Sequence, residues 1–359
     1  MASAFSPAAR VAAEGTDRDD SEEEGPGFSA LPVVAYLPES GFVLGGYAVY
    51  HTRFAGQREG VPSSTFPLLA AGTTREELGV ELTPQLYLGD DGEWWLDVDL
   101  TGRLRPEAQY FGLGNDTSLS AEETYRYRML GLDTRILRRV WPHLFVGLSG
   151  RFTLQSVDGL QAQGLLETGR PDGVGRTRVV GLGPALVYDS RSTVRAPLSG
   201  SLLTLGIVSY GPWTGSQHRF TAFETDARRY FHLVGEHVIA ARFVWQSTWG
   251  SVPFTHLPAV AGSGFLRGFV RGRFLDNHAV GAEVEYRFPI WERLSGAVFG
   301  GAGQVAPSPK QFRLEGFHVA AGLGLRFALV PEERLNLRLD VAASEERTVR
   351  PYFAPLEAF

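Results

Sequence analysis

The sequence predicts an all-β protein, a transmembrane antiparallel β-barrel of about 16 strands, from three observations. First, apolar and polar side chains alternate along many segments, so each strand would have one apolar and one polar face. Second, the connections are alternately short and long, as in barrels with short periplasmic turns and long outer loops. Third, no apolar run approaches the roughly 18 residues of a spanning helix.

The predicted strands follow one another from residue 31 to the end of the chain. They are 31–37, 42–54, 64–74, 77–88, 94–104, 125–140, 143–155, 177–189, 201–210, 217–231, 237–249, 279–290, 294–305, 316–329, 335–342 and 349–359. Their number is even, as single-chain bacterial barrels require, only if the short segment 31–37 is the first strand.

The segment 279–290 alternates most clearly. Val284 and Tyr286 fall on one face, and Glu283, Glu285 and Arg287 fall on the other. In a barrel the apolar face would contact lipid and the charged face would line a wet lumen.

Two stretches do not alternate. The segment 1–30 is acidic, and without apolar periodicity it is expected to be disordered, which leaves 31–359 as the barrel domain. The stretch 250–278 is rich in glycine and arginine. Structureless loops of this length are usually functional, so we expect it to be an ordered loop with a specific role.

Composition argues against several function classes. The chain has no cysteine and a formal net charge of −6, which excludes thiolate sites and disfavours a nucleic-acid partner. Its eight histidines lack metal-ligand spacing, and no serine-nucleophile elbow is present. We therefore expect no enzymatic activity, no metal and no cofactor. A Ser–His pair using His218 or His318 is an alternative that nothing in the sequence selects.

Three phrases carry a family resemblance. They are L-R-G-F at 266–269, D-N at 276–277 and E-Y-R-F-P at 285–289. Together they resemble the signature of the BamA/TamA outer-membrane superfamily, also called the bacterial surface antigen family. The phrase Y-F-G-L-G-N-D-T at 110–117 and the Y-D-S-R phrase at 188–191 resemble further segments of that family.

The resemblance implies that the loop 250–278 folds inward and is clamped through the triplet Arg267, Gly268 and Phe269. The inward-facing carboxylates of Glu283 and Glu285 are the expected partners of Arg267, because a desolvated guanidinium seeks carboxylates.

The family also places an F-x-D phrase on the following strand. Here the aromatic Phe299 is kept, but Gly301 replaces the aspartate, which leaves Glu285 as the main expected partner. The alternative is that Arg267 is a solvated loop arginine like Arg271 and Arg273.

The C-terminal residue is aromatic, as is usual for proteins whose last strand is read by the barrel-assembly machinery. Phe353 and Phe359 are the expected elements of such a C-terminal assembly signal.

The resemblance implies that the protein is located in the bacterial outer membrane. It also implies that the protein helps β-proteins to insert into that membrane or to cross it. The expected partners are outer-membrane lipid, β-barrel clients and a periplasmic or POTRA-bearing protein, because POTRA modules are not found in this sequence. A short first strand and prolines in the last one predict few ladder bonds at the barrel seam. The alternative function is a plain pore or the membrane anchor of a larger complex.

Overall fold

The computed structural model describes residues 26–262, 264–330 and 335–359. Its strands form one closed 16-stranded antiparallel barrel, as the alternation predicted. In chain order they are β1 Gly27–Leu37, β2 Gly41–Thr52, β3 Ser64–Thr73, β4 in two segments Leu78–Leu82 and Gln85–Leu88, β5 Trp94–Tyr110, β6 Glu123–Trp141, β7 Leu144–Asp158, β8 Gly175–Asp189, β9 Gly200–Tyr210, β10 Phe220–His232, β11 Val238–Gly250, β12 His278–Trp291, β13 Leu294–Ala306, β14 His318–Val330, β15 Leu335–Ser344 and β16 Val349–Pro355.

In the residues that the structure describes, helical content is confined to loops. It consists there of one short α-helix, Leu165–Gly169, and the 3-10 turns Leu119–Ala121, Pro212–Thr214, Phe254–His256, Pro309–Gln311 and Leu314–Gly316. None of the helices in the described residues is long and apolar enough to cross a membrane.

The strand β4 was predicted as one continuous segment, and the structure divides it at Thr83 and Pro84. A proline has no N–H to donate to a ladder, so pairing stops there locally. Both segments pair with β3 and with β5, and they therefore count as one strand of the wall.

The predicted faces of β12 are confirmed. Glu283, Glu285 and Arg287 are buried inside the barrel, whereas Val284 and Tyr286 are exposed on its outer surface. The long strands β5, β6, β7 and β8 lie far from the seam, and the shortest strand is β16 with seven residues.

The predicted boundary between a disordered segment and the barrel at residue 30 is wrong. The strand β1 begins at Gly27 and has 11 residues. Residues 27–30 pair with β2, from Gly27 opposite His51 onward. Pairing in this hairpin makes them part of the strand, although their sequence does not predict one. Residues 1–25, where most of the expected disorder falls, lie outside the described residues.

The seam joins β1 and β16, and few bonds close it, as predicted. In the described part of the chain its register consists of one pair, Tyr36 opposite Phe353. The reason differs from the prediction, because β1 is not short. The last strand ends at Pro355 instead of Phe359, and residues 27–35 of β1 pair only with β2.

The chain leaves the wall after Pro355. Leu356 has a φ of 71°, which is unusual for a residue with a side chain, and the tail turns into the lumen. Leu356, Glu357 and Phe359 are all buried there. The predicted strand 349–359 is therefore four residues too long.

The loop between β11 and β12, residues 251–277, also enters the barrel. It contains a small hairpin of Ala259–Val260 with Phe274–Leu275. Leu266, Phe269 and Phe274 pack with wall residues Ala279, Val305 and Ala320 in one buried cluster. We call residues 251–277 the inner loop.

Candidate functional site: the clamped inner loop

The site is assembled by the inner loop and by four strands of the wall near the seam. Because side chains alternate along a strand, Glu285 of β12, Phe299 of β13, Asp340 of β15 and Tyr352 of β16 all face the lumen. The inner loop brings Arg267 to this wall.

Arg267 is held by two carboxylates and an aromatic ring. Its Nη2 donates to Glu285 Oε2 at 2.7 Å, and its Nη1 donates to Asp340 Oδ2 at 2.5 Å. Its Cζ lies 3.5 Å from the centre of the Phe299 ring, a cation–π distance. Burial alone would lower the pKa of this guanidinium, but Glu285 and then Asp340 reverse the effect and hold the pKa above its ordinary value.

Arg267 is only 2% exposed, so it is not an ordinary solvated loop arginine. A guanidinium removed from water in this way is stable only when nearby carboxylates match its charge. The planar fork of Arg267 reaches two carboxylates on different strands, which ties the loop to β12 and to β15.

Gly268 is fixed through its backbone. Its N–H donates to Tyr352 Oη at 2.8 Å, and its carbonyl accepts from Arg350 Nε at 3.1 Å and from Thr348 Oγ1 at 3.3 Å. Its φ of 117° lies in the region open to glycine. An added Cβ would also lie 3.1 Å from the Cβ of Ala320. Glycine is therefore required here for both conformation and space.

Contacts of Phe269 and of Glu283 hold the two ends of the segment that contains the triplet. Phe269 is fully buried and packs edge-on against Phe274, with 5.4 Å between ring centres. Glu283 forms no hydrogen bond or ion pair with Arg267 in the described structure; its Oε1 accepts from the backbone N–H of Leu266 at 2.9 Å. The expected pairing of Glu283 with Arg267 is thus replaced by a hydrogen bond to the loop backbone.

Asp340 was not predicted as a partner of Arg267. It supplies the second carboxylate on Arg267, whereas the family phrase leads one to expect an aspartate at position 301. A side chain at Gly301 would meet Glu283 Cγ at 2.7 Å, so this wall position has no room for one. The signal in the sequence was the inward register of Asp340 beside Arg338 on a strand whose other face is apolar.

The clamp continues into a network that also holds the C-terminal tail. Arg326 donates to Asp340 Oδ1 at 2.5 Å, to Glu285 Oε1 at 3.2 Å and to Glu357 Oε2 at 2.9 Å. Arg287 donates to Glu285 Oε1 at 2.8 Å. The loop, the wall and the tail therefore share one set of carboxylates.

Phe353 and Phe359 occupy different environments. Phe353 lies at the seam opposite Tyr36. Phe359 lies inside the lumen, packed with Tyr230 and Val238, and its carbonyl accepts from Arg287 Nη2 at 2.8 Å. The structure therefore does not place the two phenylalanines on one strand.

The phrase at 110–117 lies over the outer end of the inner loop. The N–H of Gly114 donates to the carbonyl of Leu275 at 2.8 Å. Arg273 donates to Thr117 Oγ1 and to the Thr117 carbonyl, both at 2.5 Å, and to Glu346 Oε1 at 2.6 Å. The inner loop is thus fastened near its tip by Arg267 and near the outer surface by Arg273.

A cavity of about 270 Å³ remains beside the inner loop, on the side away from the clamp. Its lining includes Asp99, Arg103, Asp133, Arg151 and Glu224, which gives it charges of both signs. Within the described residues, no group of three or more histidine or carboxylate side chains is placed to hold a metal ion.

A closed antiparallel barrel with an apolar exterior and an arginine-clamped loop in its lumen defines a class of outer-membrane-type β-barrel proteins. The Omp85 superfamily domain matches residues 76–348, which is more than half of the chain, and the protein belongs to this superfamily.

Solved structures show the same fold. The barrel is similar to BamA from Haemophilus ducreyi lacking POTRA domains 1–3, with a TM-score of 0.63, 17% identity, and coverage of 91% of this chain and 69% of that one. It is also similar to CdiB from Acinetobacter baumannii, with a TM-score of 0.56, 10% identity, and coverage of 93% and 60%. The chain thus spans only part of the length of both. A search of curated proteins found no match.

Proposed function

We propose that this protein assists the insertion of β-strand proteins into the bacterial outer membrane, or their passage across it, with the seam as the place where a client strand pairs. The observation that carries this proposal is the single pair, Tyr36 opposite Phe353, in the described seam. Residues 27–35 of β1 then have an edge that does not pair with β16. An unpaired edge is a template for another strand.

The energetic argument concerns how readily the seam opens. Fewer ladder hydrogen bonds must break to open a seam with one register pair than to separate β1 from β2, which pair over 11 residues, so the seam opens far more easily. A client strand that added to β1 would satisfy backbone groups that would be costly to leave unpaired in lipid.

The clamp supports the same function. By holding the inner loop against β12, β13, β15 and β16, it braces the wall next to the seam while the seam itself stays weak. A periplasmic or POTRA-bearing partner and outer-membrane lipid would complete the working assembly. Phe353 and Phe359 remain the proposed elements of a C-terminal signal for the protein's own assembly.

The experiment is a disulfide that locks the seam. The chain has no native cysteine, so Tyr36→Cys with Phe353→Cys introduces a single pair, and directly opposite residues of antiparallel strands have Cα separations of about 4.5–5.5 Å, within the disulfide range. The oxidised variant, in proteoliposomes, should lose its ability to accelerate folding of an added β-barrel client and should regain it with reductant.

The matched control is Ala30→Cys with Ala48→Cys, which joins β1 to β2, where the strands are already paired. This disulfide should leave acceleration unchanged. Full acceleration by the oxidised seam variant would contradict the proposal.

The second candidate is a pore. The charged cavity beside the inner loop favours it, because it leaves part of the lumen unfilled. Conductance of the intact barrel distinguishes the two functions, as set out in the Discussion.

A further inference from the structure

Four arginines form a compact basic surface on the outside of the barrel. Arg126 and Arg128 lie on β6, and Arg176 and Arg178 lie on β8. On both strands the residues between them, Tyr127 and Thr177, are buried and face inward, so the arginines face outward. We call these four residues the arginine patch.

The strand register places the members of the arginine patch side by side. Arg128 is opposite Ser156 of β7, and Ser156 is opposite Arg176. Neighbouring strands are about 4.8 Å apart, so the backbones of Arg128 and Arg176 are separated by about 10 Å. Two arginine side chains at this separation reach a common group held between them.

The positive charge of the patch is only partly neutralised. Asp158 lies 3.3 Å from Arg126 and 3.7 Å from Arg128. Arg176 has no hydrogen bond or ion pair with any residue in the described ranges, and Arg178 uses its Nε on the carbonyl of Gly215 at 2.9 Å. In the described residues, Asp158 is therefore the one carboxylate that forms an ion pair with any of the four arginines.

The patch borders the apolar surface of the barrel. Leu130 and Leu154, which are 49% and 48% exposed, share a row with Arg178, one step towards the middle of the wall from Arg128 and Arg176, and Leu182 and Leu148 follow further along. The patch lies at the ends of β6 and β8 that lead into the outer loops, opposite to the end where β16 terminates. Arginines at such an edge sit at the depth of lipid headgroups.

We propose that the arginine patch binds the phosphate group of a lipid in the outward-facing leaflet, with Arg128 and Arg176 as the principal ligands. The guanidinium fork matches phosphate oxygens in bidentate geometry, and the leucines below the patch contact the acyl chains of the same lipid. This site is independent of the seam and of the proposed insertion function.

The test uses the whole protein in phosphatidylcholine nanodiscs with and without lipid A, which carries phosphate on its sugar head. Lipid retained on the purified protein is counted by native mass spectrometry. Arg128→Gln with Arg176→Gln should reduce retained lipid A by at least about tenfold, since two charge-assisted contacts are lost, and Arg176→Gln alone should have a smaller effect. The control is Arg138→Gln, which removes an outward arginine at the opposite end of β6, where it lies 5.5 Å from the Trp94 ring.

Dephosphorylated lipid A should be retained weakly by the wild-type protein, and inorganic phosphate should not displace lipid A at equal concentration. Equal retention by the wild type and the double variant would overturn the proposal. Equal retention of the dephosphorylated lipid would overturn the assignment to phosphate, and displacement by inorganic phosphate would show a free-anion site instead of a lipid site.

Discussion

Arg267 and Asp340 are joined by an ion pair of 2.5 Å although 73 positions separate them in the chain. Both side chains are almost completely buried, at 1% and 0% exposure, in a lumen that also contains Glu285. The pair therefore fixes the depth at which the inner loop sits in the barrel.

Replacing Arg267 tests this clamp directly. Arg267→Ala leaves Glu285 and Asp340 buried with one cation fewer. Because Arg326 still pairs with both carboxylates, we expect a cost of about 1–3 kcal/mol. The inner loop should become accessible to protease from outside while the heat-resistant barrel survives. Arg267→Lys should restore protection only in part, because an ammonium lacks the planar fork. Wild-type protection in the alanine variant would show that the clamp does not hold the loop.

Gly268→Ala tests the backbone of the same turn. The new Cβ meets Ala320 Cβ at 3.1 Å, and the φ of 117° is unfavourable for alanine, so we expect a cost of about 1–3 kcal/mol. Gly56→Ala is the matched control, since its φ is also positive, at 88°, but no atom lies within 4 Å of the added Cβ. Thermal unfolding in detergent should show a lower midpoint for Gly268→Ala than for Gly56→Ala, and equal midpoints would contradict the tight fit of the turn.

Replacement of Arg273 and replacement of Arg271 should have different effects on the inner loop, although the sequence shows both as similar loop arginines. Arg273 is buried and donates to Thr117 and Glu346, whereas Arg271 makes a partly exposed pair with Glu39 at 3.1 Å. Arg273→Ala should increase proteolysis of the inner loop and of residues 111–122, and Arg271→Ala should change it little. The cleavage pattern on whole cells checks both. A stronger effect of Arg271→Ala would mean that the outer fastening is assigned to the wrong residue.

Conductance tests whether the inner loop closes the lumen. We expect low, fluctuating conductance from the intact protein in planar bilayers and a marked rise after deletion of residues 264–277, which contain the clamp and one strand of the small hairpin. Arg267→Ala keeps the loop and serves as an intermediate case. A steady, large conductance in the intact protein would favour the pore function.

The wall was predictable because alternation is a local property of each strand. The inward register of Glu283 and Glu285 follows from the residues between them, and the clamp arginine follows from its phrase. Asp340 could not be assigned to Arg267, because the choice between inward carboxylates depends on how deep the loop reaches. The start of β1 at Gly27 depends on hairpin pairing, and the end of β16 at Pro355 depends on the turn at Leu356. Neither feature produces a recognisable pattern of residues in the sequence.

The topology of the wall has a consequence for how this protein itself folds. In the described residues, every barrel pairing except that of β1 with β16 joins strands that follow one another along the chain. Such neighbouring hairpins close small loops, and their entropic cost is low. Ring closure is the single event that must bring the two ends of the chain together, and it gains only one register pair. We therefore expect the hairpins to form rapidly, one after another, and the pairing of β1 with β16 to form slowly as the last step.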